Sequence, residues 1–496
     1  MLMFARKLLF FVIAFFLLGC SSTPTPAKAP PQAPPQAAAT MAPTIFEVPV
    51  KQGVSAQRLK NARPNIIFIL TDDQPFYTLD YMPTVKKELM AHGVNFTSGF
   101  VTTPLCCPSR TSILTGEYSH NTGIYTDEWP LGGARKFDDS STIATWLKGA
   151  GYNTAYYGKY LNEYNTVQPV GLVPPGWDDW KVFLGRKPET GYFFDFTLSE
   201  NGKEVAYPRT KENFSADVIT RNALEFINRS KDTPFFLDLS YYNPHANYIS
   251  APRHKDTFRS GSGWDWSPHR PPNFNEADVS DKPAYLQALV PTGEDTLNTA
   301  ELQILRSLLS VDDGVASILN LLKKTGLDKN TIIVYLSDNG MTIGEHRFGV
   351  DKNCPYDECV HVPFIVYAPW LYPARTDTSM VANIDLAPTF AEWAGTKCPD
   401  TVNGASLAAL LKTPGLAWRD ELLLEHWPAV EGVGALIPEW HAVRTPEWKY
   451  VELLTGECEL YNLKADPFEL QNLCNKPETA QTQAQLKQRL EVLKTQ

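Results

Sequence analysis

Apolar runs of two kinds alternate along the chain from residue 65 onward. Short runs rich in β-branched residues, such as NIIFIL at residues 65–70, are typical of strands buried on both faces of a sheet. Longer runs with apolar residues three or four positions apart, such as residues 301–324, are typical of amphipathic helices. This alternation predicts an α/β fold, in which a mostly parallel sheet carries helices on both faces.

The remaining predicted elements follow the same two patterns. Further strands are predicted at residues 94–100, just before Lys159, and at residues 234–242, 331–340 and 362–369. Further helices are predicted at residues 83–92, after Pro108, before Gly149, and at residues 216–230.

The pattern changes after about residue 395, where the predicted elements become shorter. Strands are expected at residues 441–454 and 457–463, and a terminal helix from about Thr479. We therefore predict a main domain over residues 61–395 and a smaller α+β subdomain over residues 396–496.

The N-terminus has the pattern of an exported protein. Arg6 and Lys7 precede an apolar run at residues 8–18, which is typical of a secretory signal and too short for a comfortable membrane span. Residues 17–20 read Leu-Leu-Gly-Cys and resemble the lipobox of bacterial lipoproteins, in which Cys20 is lipidated. Residues 1–20 are thus predicted to be a lipoprotein signal peptide, with an ordinary signal peptide or a membrane anchor as the alternative.

Two further features bear on location. Position 21 is Ser21 rather than aspartate, which favours the outer membrane over the inner membrane. Residues 21–60 are rich in proline and alanine and are predicted to form an extended tether between membrane and domain.

Composition and charge limit the class of protein. With 496 residues, of which 43% are hydrophobic, the chain can bury a large core. Its formal net charge of −10 offers no general basic surface, so no nucleic-acid partner is expected, although local basic pockets for anions remain possible.

The eight cysteines raise a separate question. Export would place the domain in an oxidising compartment, where cysteines tend to pair. Without Cys20 the number is odd, so one cysteine needs another fate. Cys106 and Cys107 stand side by side before Pro-Ser-Arg, which makes this segment the candidate.

Polar residues follow several predicted strands. Since ligands bind beyond the carboxyl ends of strands in α/β sheets, these residues predict a single site: Asp72, Asp73, Lys159, His245, Asp338 and Asn339. The carboxylates and the amide suit Ca²⁺ or Mg²⁺, unless they only cap helices or form turns. Arg110, Lys159, His245 and Lys352 could surround an anionic substrate, although a single lysine is usually solvated and a single histidine usually structural.

These motifs together resemble a known family. Cys106-Cys107-Pro108-Ser109-Arg110, followed by Thr115-Gly116, is similar to the Cys-x-Pro-Ser-Arg signature of type I sulfatases, in which the first cysteine is oxidised to formylglycine. Six more segments fall in the family's order: ILTDDQ, GYNTAYYGK, NPH, LSDNG, IDLAPTF and ELYNLKADPFELQNL. CCPSRTSILTG, GKYLNEY and FNEADVSDKP most resemble the glucosamine-6-sulfatase branch and its bacterial relatives.

The resemblance implies an alkaline-phosphatase-like fold and hydrolysis of a sulfate ester of a carbohydrate. A formylglycine-generating maturation enzyme would convert Cys106, and Cys107 would fill the variable position. The hydrated aldehyde attacks sulfur, and its second hydroxyl then expels sulfate. A thiol could not complete the second step.

The resemblance also assigns roles to the polar residues. One divalent cation, with Ca²⁺ favoured over Mg²⁺, would be held by Asp72, Asp73, Asp338, Asn339 and the converted Cys106. Arg110 would orient the aldehyde, Lys159 and Lys352 would bind sulfate, and His245 would contact sulfate and protonate the leaving oxygen. The pairs Cys354–Cys359 and Cys458–Cys474 would be disulfides, and Cys107 could equally stay buried and reduced.

The chain departs from the family pattern at two places. Many sulfatases carry histidine two positions after the residue matching Lys159, where this chain has Leu161, so Asn162 and His120 become candidates for assisting sulfate release. His361 stands where relatives often carry arginine or lysine, which indicates either a different sugar subsite or a surface substitution.

Two other functions compete with the sulfatase interpretation. One is a phosphomonoester or phosphonate hydrolase on the same fold, and the other is a non-catalytic surface lipoprotein that binds glycans. Tryptophans could stack on sugar rings in either case, with Trp177, Trp180, Trp264 and Trp266 as candidates, although most aromatic residues belong to the core.

Overall fold

A ten-stranded mixed sheet organises the main part of the chain in the computed structural model. The structure describes residues 42–50, 63–167, 169–259, 262, 266–428 and 436–496. The strands of all its sheets are β1 Asn65–Asp72, β2 Val94–Phe96, β3 Gly99–Phe100, β4 Asn153–Gly158, β5 Asp179–Gly185, β6 Phe196–Glu200, β7 Lys203–Tyr207, β8 Phe235–Pro244, β9 Thr331–Ser337, β10 Thr342–Ile343, β11 Val350–Asp351, β12 Phe364–Tyr367, β13 Arg375–Asp377, β14 Val381–Ala382, β15 Leu422–His426, β16 Trp440–Arg444, β17 Trp448–Leu453 and β18 Cys458–Asn462.

The large sheet has the strand order β13-β2-β12-β9-β1-β8-β4-β5-β6-β7. Its centre is parallel, because β1 runs parallel to both β8 and β9, and β4 runs parallel to β8 and β5. The strand predicted at residues 362–369 is present as β12 but runs antiparallel to β9 and β2. The predicted mixed, mostly parallel sheet is confirmed.

Helices cover both faces of this sheet. The α-helices are Cys106–Thr115, Ser119–Thr122, Ile143–Gly149, Ser215–Ser230, Ala284–Gln287, Glu294–Thr325, Asp357–Val360, Leu386–Trp393, Ala408–Lys412 and Ala480–Leu493. Ile67 and Ile69 of β1 pack with the helices Ser215–Ser230 and Glu294–Thr325, whereas Ile66 and Phe68 pack with Cys106–Thr115 and Leu386–Trp393. Alternate residues of a strand point to opposite faces, so NIIFIL is apolar throughout because both faces are covered.

Three predicted elements differ in detail. The segment predicted as a helix at residues 83–92 contains a π-helical stretch, Val85–Met90, and the strand predicted at residues 94–100 is divided into β2 and β3. The helix predicted at residues 301–324 begins earlier, at Glu294, where two acidic residues in its first turn favour the helix start.

The C-terminal part contains a four-stranded antiparallel sheet, β15-β16-β17-β18, with the helix Ala480–Leu493 packed on it. Its core also includes Phe100 and Tyr356 from the preceding part of the chain. A smaller α+β unit is therefore present, while the predicted boundary at residues 395 and 396 stays a prediction.

The cysteines follow the expected pairing. Disulfides join Cys354 to Cys359 and Cys458 to Cys474. Among the described residues Cys106 and Cys107 are buried and free, and Cys398 is free and half-buried.

The predicted signal peptide with Cys20 and most of the predicted tether lie outside the described residues, as does Trp264. Within the described part of the chain, no helix has the length and apolar character needed to cross a membrane.

Candidate active site

The predicted polar residues meet at the carboxyl edge of the large sheet. Asp72 ends β1, His245 directly follows β8, and Lys159 directly follows β4. Asp338 and Asn339 follow β9, the other neighbour of β1. Parallel strands start and end on the same side, so Asp73 and Asn339, which are 266 positions apart in sequence, come into contact.

Cys106 lies at the centre of this group as the first residue of the helix Cys106–Thr115. Lys352 Nζ lies 2.9 Å from Cys106 Sγ, and Lys159 Nζ lies 3.1 Å from it. Burial raises the pKa of the Cys106 thiol well above its ordinary value, although the two lysines act in the opposite direction. The unmodified thiol is therefore protonated at neutral pH and is a weak nucleophile.

Cys107 faces a different environment. Its backbone N–H donates to Asp127 Oδ1 at 2.8 Å, and its Sγ accepts from the Asn162 backbone N–H at 3.0 Å. The side chain belongs to the apolar core cluster beside the sheet. Of the two adjacent cysteines, Cys106 is thus the one placed against the lysines and carboxylates.

Three carboxylates form a compact acidic cluster beside Cys106. One oxygen each from Asp72, Asp73 and Asp338 lies within 4.8 Å of the others. Asp73 has a positive φ of 64°, a rare conformation for a residue with a side chain, which is associated with functional sites. Asn339 Nδ2 donates to Asp73 Oδ1 at 2.7 Å, while the buried Asn339 Oδ1 has no hydrogen-bond partner among the described residues.

This donor set fits a hard divalent cation such as Ca²⁺ or Mg²⁺. Carboxylate and amide oxygens are the ligands these ions prefer, and Asn339 Oδ1 supplies an unused acceptor. Burial and the negative charge of Asp72 raise the pKa of Asp338 to about 7. A cation among the three carboxylates would relieve that repulsion.

Asp72 and Asp73 remain ionised for a different reason. Burial alone would raise the pKa of each, but Lys159 is the main opposing charge for Asp72 and Lys352 for Asp73, and both pKa values lie below the ordinary range. Lys159 Nζ is 2.7 Å from Asp72 Oδ2, and Lys352 Nζ is 2.7 Å from Asp73 Oδ1. The same contacts raise the pKa of both lysines despite burial, so both ammonium groups are charged at neutral pH.

Arg110 is fixed from two sides. Its Nε donates to Asp338 Oδ2 at 2.8 Å, and its Nη1 donates to the Lys159 carbonyl oxygen at 2.7 Å. The guanidinium therefore ties the helix that begins at Cys106 to two strand ends, and within the described structure its buried Nη2 has no hydrogen-bond partner.

His245 completes the group of predicted residues. Its Nδ1 lies 2.8 Å from the Ala246 carbonyl oxygen, which can only accept, so Nδ1 carries a proton. Its Nε2 lies 3.6 Å from Asp73 Oδ2 and faces the acidic cluster. Burial lowers the pKa of His245 more than the neighbouring carboxylates raise it.

The residues at the two positions that depart from the family pattern, and the candidates named in their place, lie in different environments. Leu161 is buried, and both it and Asn162 line a cleft together with Lys159 and His245. His120 Nδ1 pairs with Glu425 at 2.7 Å, and its ring stacks on Tyr118. His361 stacks on Phe76 and hydrogen-bonds to the Thr97 carbonyl oxygen, so it packs between elements and does not line the cleft.

The cleft has a volume of about 410 Å³, and Lys159 and His245 are among the residues that line it. Its walls include four residues that the sequence analysis did not single out: Phe183, Arg186, Tyr192 and Tyr242. Trp180 is fully buried and Trp177 packs on Phe236, and neither lines the cleft. A second cavity, of about 390 Å³, is lined by Pro83, Lys87 and Leu319 among others and contains none of the candidate residues.

Comparison with known proteins shows which family the chain belongs to. The family model described as Sulfatase matches residues 64–396, which is more than half of the chain. The chain belongs to the sulfatase family. A second model, described as N-sulphoglucosamine sulphohydrolase, C-terminal, matches residues 344–496. Sulfatases generally use a formylglycine and a divalent metal ion, and the carboxylate cluster beside Cys106 offers ligands for such an ion.

Sequence alignments with two relatives extend over most of this sulfatase. It is 34% identical over 399 residues to a putative extracellular sulfatase Sulf-1 homolog of Caenorhabditis elegans, covering 76% of this chain but only 54% of the relative. It is 30% identical to an N-acetylglucosamine-6-O-sulfatase of Bacteroides thetaiotaomicron, covering 88% of this chain and 87% of the relative. The chain thus spans about half the length of the first relative and most of the second.

A solved structure shares the same architecture. It is described as a protein in complex with its substrate, D-glucosamine-2-N,6-O-disulfate, and it matches with a TM-score of 0.74 and 27% identity. The match covers 87% of this chain and 98% of the other. Together with the sheet described above, it shows the alkaline-phosphatase-like fold of sulfatases.

Proposed function

We propose that this sulfatase hydrolyses a sulfate ester of a carbohydrate, with N-acetylglucosamine-6-sulfate as the first candidate substrate. The observation that carries the proposal is the position of Cys106, whose Sγ contacts two lysines beside three clustered carboxylates. The choice of sugar is supported by the bacterial relative named as an N-acetylglucosamine-6-O-sulfatase and by the disulfated glucosamine bound to the structural neighbour.

The site would require one modification and one cation. Conversion of Cys106 to formylglycine by a maturation enzyme would supply an aldehyde, and a hydroxyl of its hydrate would be the covalent nucleophile in place of the protonated thiol. Asp72, Asp73, Asp338 and Asn339 would hold a divalent cation, Ca²⁺ rather than Mg²⁺, which would offset negative charge on sulfate.

The protein's own cationic side chains would bind and orient the sulfate group. Lys159 and Lys352 approach the position of Cys106 Sγ from two directions, so their ammonium groups can bind sulfate oxygens while residue 106 attacks sulfur. Arg110, held by Asp338, would orient residue 106. His245 Nε2 faces the same space, and in its imidazolium form, with Nδ1–H held by the Ala246 carbonyl oxygen, the ring would contact sulfate and transfer its Nε2 proton to the leaving oxygen.

The location of the enzyme is also part of the proposal. The N-terminal pattern ending at Cys20 supports an exported bacterial lipoprotein that is anchored to the outer membrane. Such an anchor would hold the enzyme where sulfated polysaccharides, which are too large to cross the membrane, can reach it.

The first test combines peptide mass spectrometry across Cys106 with measurement of sulfate release from N-acetylglucosamine-6-sulfate, on protein co-expressed with a maturation enzyme. We expect loss of sulfur with gain of an aldehyde oxygen at residue 106, and release of sulfate. Faster turnover of the 6-phosphate ester would favour the phosphomonoester hydrolase. An unmodified thiol with sugar binding but no turnover would favour the glycan-binding lipoprotein.

A further inference from the structure

We propose that the sugar substrate of this enzyme carries a second anionic group besides the sulfate ester, and that Arg186 on the wall of the cleft binds this second group. This inference rests on the proposed sulfatase function and extends it to the substrate class: a doubly anionic sugar rather than a simple monosulfate. Arg186 follows β5 and lines the cleft together with Lys159 and His245.

Two tyrosines hold Arg186 against the cleft wall. Its Nη1 donates to the Tyr242 hydroxyl at 3.4 Å, and its guanidinium carbon lies 5.4 Å from the centre of the Tyr192 ring. Contact with an aromatic ring restricts the side chain without neutralising it, so its remaining N–H donors stay available.

Arg186 also differs from the other basic residues nearby because it has no acidic partner in the part of the chain that the structure describes. Lys159, Lys352 and Arg110 each contact a carboxylate within 2.9 Å, and Lys187 lies 3.9 Å from Asp195. No carboxylate oxygen within the described structure lies within 4.0 Å of the Arg186 guanidinium. Arg186 is exposed in a cleft that Glu128 and Glu163 also line, yet it pairs with neither carboxylate, so its remaining N–H donors are open to an anion that the ligand supplies.

The geometry sets where that anion would lie on the sugar. The Tyr242 ring stacks on His245 with 4.7 Å between ring centres, and its centre is 6.0 Å from Lys159 Nζ. The hydroxyl at the far end of the same ring contacts Arg186. The distance between Arg186 and the proposed sulfate-binding groups is thus set by the width of the Tyr242 ring. A pyranose ring has a similar width. A sugar whose sulfate ester contacts Lys159 would place a substituent on its opposite side at Arg186.

The test compares two substrates that differ in one anionic group, N-acetylglucosamine-6-sulfate and D-glucosamine-2-N,6-O-disulfate, on wild-type protein and an Arg186→Gln variant. We expect wild type to have the higher kcat/KM for the disulfate. Arg186→Gln should lose roughly 10- to 100-fold in kcat/KM on the disulfate, as expected for loss of a charged hydrogen-bonded contact, and change less than about 2-fold on the monosulfate. The loss should appear mainly in KM, because Arg186 contacts substrate away from the reacting sulfur.

Lys187→Gln is the matched control, since it removes the neighbouring positive charge, which pairs with Asp195. It should leave the preference for the disulfate unchanged. Equal losses on both substrates for Arg186→Gln, or no preference in wild type that still hydrolyses a small aryl sulfate, would overturn this inference and leave the sulfatase function standing. Failure of fully converted protein on all three sulfate esters would overturn the proposed function itself.

Discussion

At the scale of single residues, neighbouring side chains decide the chemistry of groups that look alike in sequence. Cys106 and Cys107 are adjacent, yet Cys106 Sγ contacts two lysines while Cys107 Sγ accepts a backbone N–H in the core. Both thiols are held protonated by burial, which raises their pKa values. The difference between them is therefore one of neighbours and not of acidity.

The first prediction separates the two cysteines. Cys106→Ala should abolish sulfate release, with a loss of at least about 1,000-fold in kcat, because the covalent nucleophile would be missing. Cys107→Ala should retain activity and lose about 1 to 2 kcal/mol of stability through the small cavity left in the core. Sulfate release and thermal unfolding check both, and an active Cys106→Ala variant would contradict the assignment.

A second prediction at this scale concerns His426 and acid stability. His426 is fully buried beside Trp440, and burial lowers its pKa to about 3. Below about pH 6.5 His426 binds a proton in the unfolded chain but stays neutral in the folded protein. The free energy of unfolding therefore falls as the pH falls from about 6.5 toward 3. Between pH 7 and pH 4.5 this costs about 2 to 3 kcal/mol.

His426→Phe should remove that part of the pH dependence, as measured by urea unfolding at pH 7 and pH 4.5. The exposed His92 provides the control, because His92→Gln should leave the pH dependence of stability close to that of wild type. An unchanged pH dependence in His426→Phe would show that the histidine is already protonated in the folded state.

At the scale of elements, the site depends on how closely strand ends approach one another. Lys159 directly follows β4, which positions it in the site. The last residue of β4, Gly158, has φ 113°. A Cβ atom at Gly158 would lie 1.9 Å from the Ser240 carbonyl oxygen of β8. Only glycine allows the two strands to stay paired up to the residue before Lys159.

Gly158→Ala should therefore destabilise the protein by at least about 2 kcal/mol, because of both the steric overlap and the positive φ, and should displace Lys159 from the site. Gly149→Ala is the matched control, since an added Cβ there meets nothing within 4 Å. We expect a lower Tm and a lower kcat for Gly158→Ala and near wild-type values for Gly149→Ala. Equal behaviour of the two variants would contradict the role given to this contact.

At the scale of the whole molecule, the site joins elements that are remote in the chain. β1 supplies Asp72, β9 is followed by Asp338, and the helix Cys106–Thr115 starts between them. Three buried carboxylates in one cluster repel one another, and two lysines and one arginine offset only part of that repulsion in the absence of a cation.

Removal of divalent cations should therefore reduce both stability and activity. EDTA treatment of the protein with converted Cys106 should lower Tm by several degrees and abolish sulfate release, and Ca²⁺ should restore both more fully than Mg²⁺. Asp338→Asn should weaken the response to Ca²⁺, measured as the rise in Tm on titration. A Tm and an activity that are both insensitive to EDTA would contradict a cation at this cluster.

The amino-acid sequence by itself determined the strand ends, the clustering of polar residues after them, and the family signature around Cys106. These features are local, and parallel strands bring their carboxyl ends together whatever the details of packing. The strands β5 to β7 and the antiparallel direction of β12 were not predicted, since strand direction is set by pairing partners distant in sequence.

Only the tertiary structure decided which side chains face the cleft. Tyr192 and Tyr242 line it while Trp180 does not, although all three lie in similar apolar segments. Among the described residues Arg186 has no carboxylate partner, and His120 pairs with Glu425, 305 positions away. Pairing and exposure depend on contacts between distant segments, so residue type and spacing along the chain do not determine them.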